Sequence, residues 1–117
     1  MPWIARLLAT IVAVEHVWFL VLEMFLWRSP LGRRTFGTTP EFAESTASLM
    51  MNQGLYNGFL AAGLAWGVFS EQRAVVAFFL GCVVVAGLFG GATVKRTILL
   101  VQALPAALAL AATLLLR

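Results

Sequence analysis

The run IARLLATIVAVEHVWFLVLEMFLW, Ile4–Trp27, decides how the rest of this chain is read. It is long enough to cross a bilayer, because about 20 residues at about 1.5 Å rise cover the hydrocarbon core. Yet it carries Glu15, His16 and Glu23 within an otherwise apolar helix. An ionisable group at membrane depth is costly, so each needs a partner, a proton or a task. Arg6 and Leu7–Val14 have the makings of a secretory leader. However, Glu15 and His16 stand where a small-residue cleavage site belongs, and Trp18–Trp27 resumes the apolar run, so a retained helix is expected.

Three more runs have bilayer length: Leu49–Ser70, Ala74–Val94 and Thr97–Leu116, none containing Asp, Glu, Lys or Arg. The 117 residues are 62% hydrophobic and 11% charged, a balance that would leave a water-soluble domain covered in apolar patches. The expected fold class is therefore all-α, an integral membrane four-helix bundle. Residues 1–117 form a single membrane domain in this reading, with spans at about 4–27, 49–70, 74–94 and 97–116.

The net charge of +3 comes from few basic residues, placed near the ends of the runs. No nucleic-acid partner is expected; the natural companions of these cations are membrane lipids. Arg28, Arg33, Arg34, Lys95 and Arg96 fall on one side of a four-span chain, and Arg6, Arg73 and Arg117 on the other. That bias predicts both termini outside the cytoplasm. The composition suits a multi-pass protein of the cell membrane, a bacterial inner membrane. The lone Cys82 lies in an apolar run and is read as a packing residue.

The connections Glu71–Arg73 and Lys95–Arg96 are so short that the runs they join are expected to be antiparallel neighbours. The first connection is longer. Ser29-Pro30-Leu31-Gly32 reads as a turn or stop after the first helix. Thr39-Pro40-Glu41 reads as a helix start, with a Thr cap, Pro at the first helical position and Glu favoured by the helix dipole. The second helix is thus extended back to Pro40, or a separate interfacial helix ends near Ser48. Gly54/Gly58, Gly63/Gly67 and Gly87/Gly91 recur at four-residue spacing and permit close helix approach. Pro105 deprives the Val101 carbonyl of its helical donor and predicts a kink.

The candidate site combines the first two spans. His16 and Glu23, seven residues apart, share a helix face, with Glu15 on the adjoining surface. Asn52/Tyr56 and Gln53/Asn57 are i,i+4 pairs that make one polar stripe on the second span. Amides and a phenol can donate to a carboxylate or share a proton with it. Gln102, one turn before Pro105, completes the ring. With the spans antiparallel, Glu23 and the Asn52 end are expected near the same membrane surface, and Glu15 and His16 level with Tyr56 and Asn57 or slightly deeper. Glu23 then faces water at the mouth or pairs with Arg28.

Glu15 and His16 are the candidates for proton handling, and Glu23, Asn52, Gln53, Tyr56, Asn57 and Gln102 for holding a solute. Glu15, His16 and Glu23 do not converge readily enough for a metal, and no cofactor is expected. The bland alternative is that the same polar groups only fasten helices together, at about 0.6–2 kcal/mol each.

Glu15-His16-Val17-Trp18, Leu22-Glu23-Met24-Phe25, Arg33-Arg34-Thr35-Phe36-Gly37, Thr39-Pro40-Glu41-Phe42 and above all Asn52-Gln53-Gly54-Leu55-Tyr56-Asn57-Gly58 resemble the DUF1304 family of small membrane proteins over essentially the whole chain. The resemblance implies a four-span fold and carries no assigned chemistry. A looser likeness to small multidrug-resistance transporters rests on size and on Glu15 in the first span. His16, Glu23 and the long basic connection depart from that pattern.

The leading functional expectation is proton-coupled or facilitative transport of a small polar or cationic solute, by a homodimer because four helices are few for a pathway. As a partner, a small polar, cationic or amphiphilic ligand is expected. A membrane enzyme acting on a lipid, quinone or isoprenoid is the second reading, with His16 moving a proton. A structural or accessory membrane subunit is the third.

Overall fold

The computed structural model describes residues 1–117, and every regular element in it is helical. In chain order these are α1 (Trp3–Met24), α2 (Pro30–Phe36), α3 (Pro40–Phe69) and α4 (Arg73–Thr93). A π-helical turn (Leu99–Ala103) then leads into α5 (Leu104–Leu115).

The first connection differs from its expected form. α1 ends at Met24, before Trp27, and Ser29-Pro30-Leu31-Gly32 opens a helix instead of a turn. The Ser29 hydroxyl accepts a hydrogen bond from the Gly32 amide at 3.1 Å and donates to the Leu26 carbonyl at 2.6 Å. One side chain therefore caps α2 and ties it to the end of α1. A Cβ on Gly32 would fall on the Leu26 carbonyl oxygen, so only glycine fits that contact. α2 stops at Gly37, whose φ of 68° is left-handed. The stop after the first helix is as expected, but the Ser-Pro pair begins turns and helices alike, which is why local reading did not foresee α2.

α3 begins where the Thr39-Pro40-Glu41 signal places it. The Phe42 amide donates to Thr39 Oγ1 at 3.1 Å, and Pro40 and Glu41 occupy the first turn. The helix runs unbroken for 30 residues, with no separate interfacial helix ending near Ser48. No proline lies in the interior to interrupt it.

The chain divides into two compact units, one of Met1–Val14 with Leu60–Arg117, the other of Glu15–Phe59. In the first, Ala9, Val12, Leu64, Val68, Val76, Leu80, Val83, Ala106 and Ala109 form the core. The close approaches expected from glycine pairs occur here. Gly67 faces Val76, and a Cβ on Gly87 would lie 2.6 Å from the Ala103 nitrogen. The connection Ser70–Gln72 is short, and the Arg73 guanidinium donates to the Thr113 and Leu116 carbonyls at the end of α5. Arg6 and Glu71 form an exposed ion pair at 3.6 Å. The expected kink at Pro105 takes the form of the π turn, in which the Leu104 amide bonds to the Leu99 carbonyl five residues back.

In the second unit, Trp27 is buried and donates from Nε1 to Thr46 Oγ1 at 3.0 Å, while its ring lies 4.9 Å from that of Phe36. Arg28 pairs with Glu44 at 3.3 Å. These contacts join α2 and the first turns of α3 to the end of α1.

Two helices, Trp3–Met24 and Arg73–Thr93, are long and apolar enough to cross a membrane. The other two expected spans fall short of that measure for identifiable reasons. α3 has the length but carries Asn52, Gln53, Tyr56 and Asn57, and Leu99–Leu115 is apolar but shorter.

Candidate functional site

Glu15, His16, Glu23, Asn52, Gln53, Tyr56 and Asn57 all belong to the second unit, and Gln102 belongs to the first, inside the π turn. Within the second unit α1 and α3 meet through glycines. A Cβ on Gly54 would lie 2.6 Å from Met24 Cγ and 3.1 Å from Glu23 Cβ. A Cβ on Gly58 would lie 2.6 Å from Leu20 Cδ1. Between these two contact points Asn57 is carried against Glu23, and its Nδ2 donates to Glu23 Oε1 at 2.5 Å. Both side chains are buried, Glu23 with 7% of its surface exposed and Asn57 with 6%.

This register corrects the expected pairing of depths. Glu23 is level with Asn57 rather than with the Asn52 end, and Leu20 is what faces Gly58. Glu15 and His16 lie about two turns farther along α1, roughly 10 Å by helical rise. Glu23 also does not pair with Arg28, because that guanidinium is engaged by Glu44.

His16 is fully buried, and its ring packs edge-on against Phe19 with centroids 5.2 Å apart. His16 Nδ1 lies 3.9 Å from Glu15 Oε1, within ion-pair range but beyond a hydrogen bond, and this buried oxygen accepts none. Asn52, Gln53 and Tyr56 are exposed, so the polar stripe of α3 turns only Asn57 inward. Tyr56 instead meets Phe59, ring centroids 5.9 Å apart.

Beside Glu23 a cleft of about 380 Å³ is walled by Phe25, Trp27, Arg28, Ala47 and Met51. Local spacing did not single out Phe25, Ala47 or Met51. Apolar residues at a helix end look the same whether they meet lipid or line a hollow. Trp27 and Arg28 did carry a signal, since each stands at the expected edge of a span next to an acid.

A family model described as a protein of unknown function (DUF1304) matches residues 10–114. The chain belongs to the DUF1304 family. The uncharacterized protein YpaA of Lactococcus lactis subsp. lactis (strain IL1403) is similar to this DUF1304 chain, 34% identical over 108 residues that cover 89% of it and 91% of YpaA. No solved structure matches. With its two long apolar helices, this DUF1304 member is a small membrane-associated protein.

Proposed function

We propose that the chain is a four-span protein of the cell membrane, acting as one membrane domain, that binds a small polar or cationic solute beside Glu23 and moves it by proton-coupled or facilitative transport. The observation that carries this reading is the buried Glu23 carboxyl, held by Asn57 and bordering a cleft of about 380 Å³. A group used only to fasten two helices has no need of a carboxyl, because an amide would serve without the cost of desolvating a charge. A cleft of this size falls within the range of small-molecule sites.

Helix length and composition support the four-span reading. The last 20 residues of α3, from Met50, would cover about 30 Å, with Asn52 and Gln53 at the interfacial end. The apolar helix Leu99–Leu115 would cross with α4 as its antiparallel neighbour. Glu15 and His16 would then provide a second proton-binding position deeper along α1. A homodimer would supply the further helices that a pathway requires.

The test is flux of methylammonium into proteoliposomes, comparing the wild-type chain with Glu23→Gln and Glu15→Gln. Flux in the wild type that falls at least tenfold in Glu23→Gln supports the proposal. Flux equal in all three chains would remove both carboxyls from the mechanism, and equal leakage from empty liposomes would end the transport reading.

A further inference from the structure

Arg28 lines the same cleft as Glu23, five residues along the chain, yet its guanidinium is turned to Glu44, with both Glu44 oxygens 3.3 Å from Nη1. The cation that lines the cleft is thereby paired with another acid. Glu23 is left with a neutral amide, Asn57, as its hydrogen-bond donor. Ser29 adds a polar edge, its hydroxyl already engaged by the Gly32 amide and the Leu26 carbonyl. Met24, Phe25, Trp27, Ala47 and Met51 are apolar or aromatic, and two of them, Phe25 and Met51, are exposed on the outer surface of the unit. The cleft therefore has an acid at its inner end and an apolar flank open to the surroundings, at the end of α1.

From this arrangement we infer that the cleft binds an amphiphilic primary amine, its ammonium donating to the Glu23 carboxylate and its apolar tail lying along Phe25 and Met51. This rests on the solute-binding reading above and narrows it to a substrate class. A primary ammonium has three donors, so it can satisfy a carboxylate whose one oxygen is already bonded to Asn57. A quaternary ammonium has none. The Arg28–Glu44 pair acts as a positioning device, because it keeps the guanidinium from filling the place of the amine. Such an amine head comes either from a free alkylamine or from an amine-headed phospholipid.

The experiment uses the full chain in phosphatidylcholine nanodiscs, titrated with dodecylamine and, as a neutral match, dodecanol, with binding read by calorimetry and by the thermal midpoint. Dodecylamine is expected to bind and raise the midpoint of the wild type, and to bind about tenfold more weakly or worse to Glu23→Gln. Dodecanol is expected to leave both unchanged. Met51→Trp keeps the acid but fills the cleft, and is expected to lose the same binding should Glu23→Gln fold poorly. Glu44→Gln releases Arg28 toward Glu23 and is expected to weaken amine binding while both Glu23 and Asn57 remain.

A further arm replaces part of the lipid with phosphatidylethanolamine. A Glu23-dependent rise in midpoint there assigns the lipid headgroup as the source, and a response to dodecylamine alone assigns a free amine. Dodecylamine that binds wild type and Glu23→Gln equally, or binds neither, overturns the inference. Glu23-dependent methylammonium flux without dodecylamine binding would leave the transport reading standing and remove only this one. Glu23-dependent binding without any flux would do the reverse.

Discussion

Asn57 and Glu23, 34 positions apart in the chain, meet as a buried amide–carboxyl hydrogen bond between α3 and α1. The bond sits between the Gly54 and Gly58 contacts, so α3 has no room to slide without closing a glycine seat. Replacing Asn57 with Leu should remove the donor and leave the Glu23 oxygen buried without it. The expected loss is about 1–3 kcal/mol, read as a lowered thermal midpoint in nanodiscs. An Asn57→Leu chain as stable as wild type would show that the bond contributes nothing to the joint between the two helices.

Gly32 is the point at which α2 touches the end of α1. A methyl there would collide with the Leu26 and Trp27 carbonyls, which are backbone and cannot swing away. Gly32→Ala should therefore undock α2, at a cost of about 2 kcal/mol or more. Limited trypsin digestion checks this directly, since cleavage after Arg33 and Arg34 should become faster. An unchanged digestion pattern would contradict the proposed fit.

Pro105 and the π turn before it are one device. Widening the helix by a residue meets the loss of the proline N–H and places Leu99 and Ala103 against Gly91 and Gly87. In an ordinary helix interior, Pro→Ala gains about 3 kcal/mol. Here Pro105→Ala should gain far less, because a regular helix would rotate the Leu99–Ala103 side chains away from their glycine seats. Thermal unfolding gives the answer, and a gain near the full value would mean that the π turn does not contribute to packing.

Arg73 stands at the start of α4 and bonds the carbonyls of Thr113 and Leu116. These belong to the end of α5, where helix carbonyls have no partners of their own. Arg73→Ala should cost about 1–2 kcal/mol and increase hydrogen exchange in the last turn of α5. Arg73→Gln retains a donor and should recover part of both effects. Unchanged exchange in Arg73→Ala would show that these bonds do not hold the helix end.

Much of this was legible from local chemistry. Thr39-Pro40-Glu41 marks the start of α3 because cap, proline and acid act within one turn. Pro105 marks a distortion because a missing N–H has only one carbonyl to disappoint. The glycine pairs mark close approach in the first unit and again at Gly54 and Gly58. By contrast, Ser29-Pro30 did not reveal α2, since the choice between turn and helix depends on whether Gly32 finds the Leu26 carbonyl. Nor did the i,i+4 stripe of α3 reveal that Asn57 alone turns inward while Asn52, Gln53 and Tyr56 face out. Spacing says which residues share a face, not which part of that face is covered.

The amino-acid sequence by itself determined an all-helical, apolar chain and the short list of ionisable groups it must accommodate, because helical periodicity and desolvation cost act on each segment alone. Only the tertiary structure decided that Glu23 rather than Glu15 takes Asn57, and that Arg28 turns to Glu44. The register between two helices is set by side-chain volumes on both, here by Leu20 and Met24 seated at Gly58 and Gly54. No single segment contains that information.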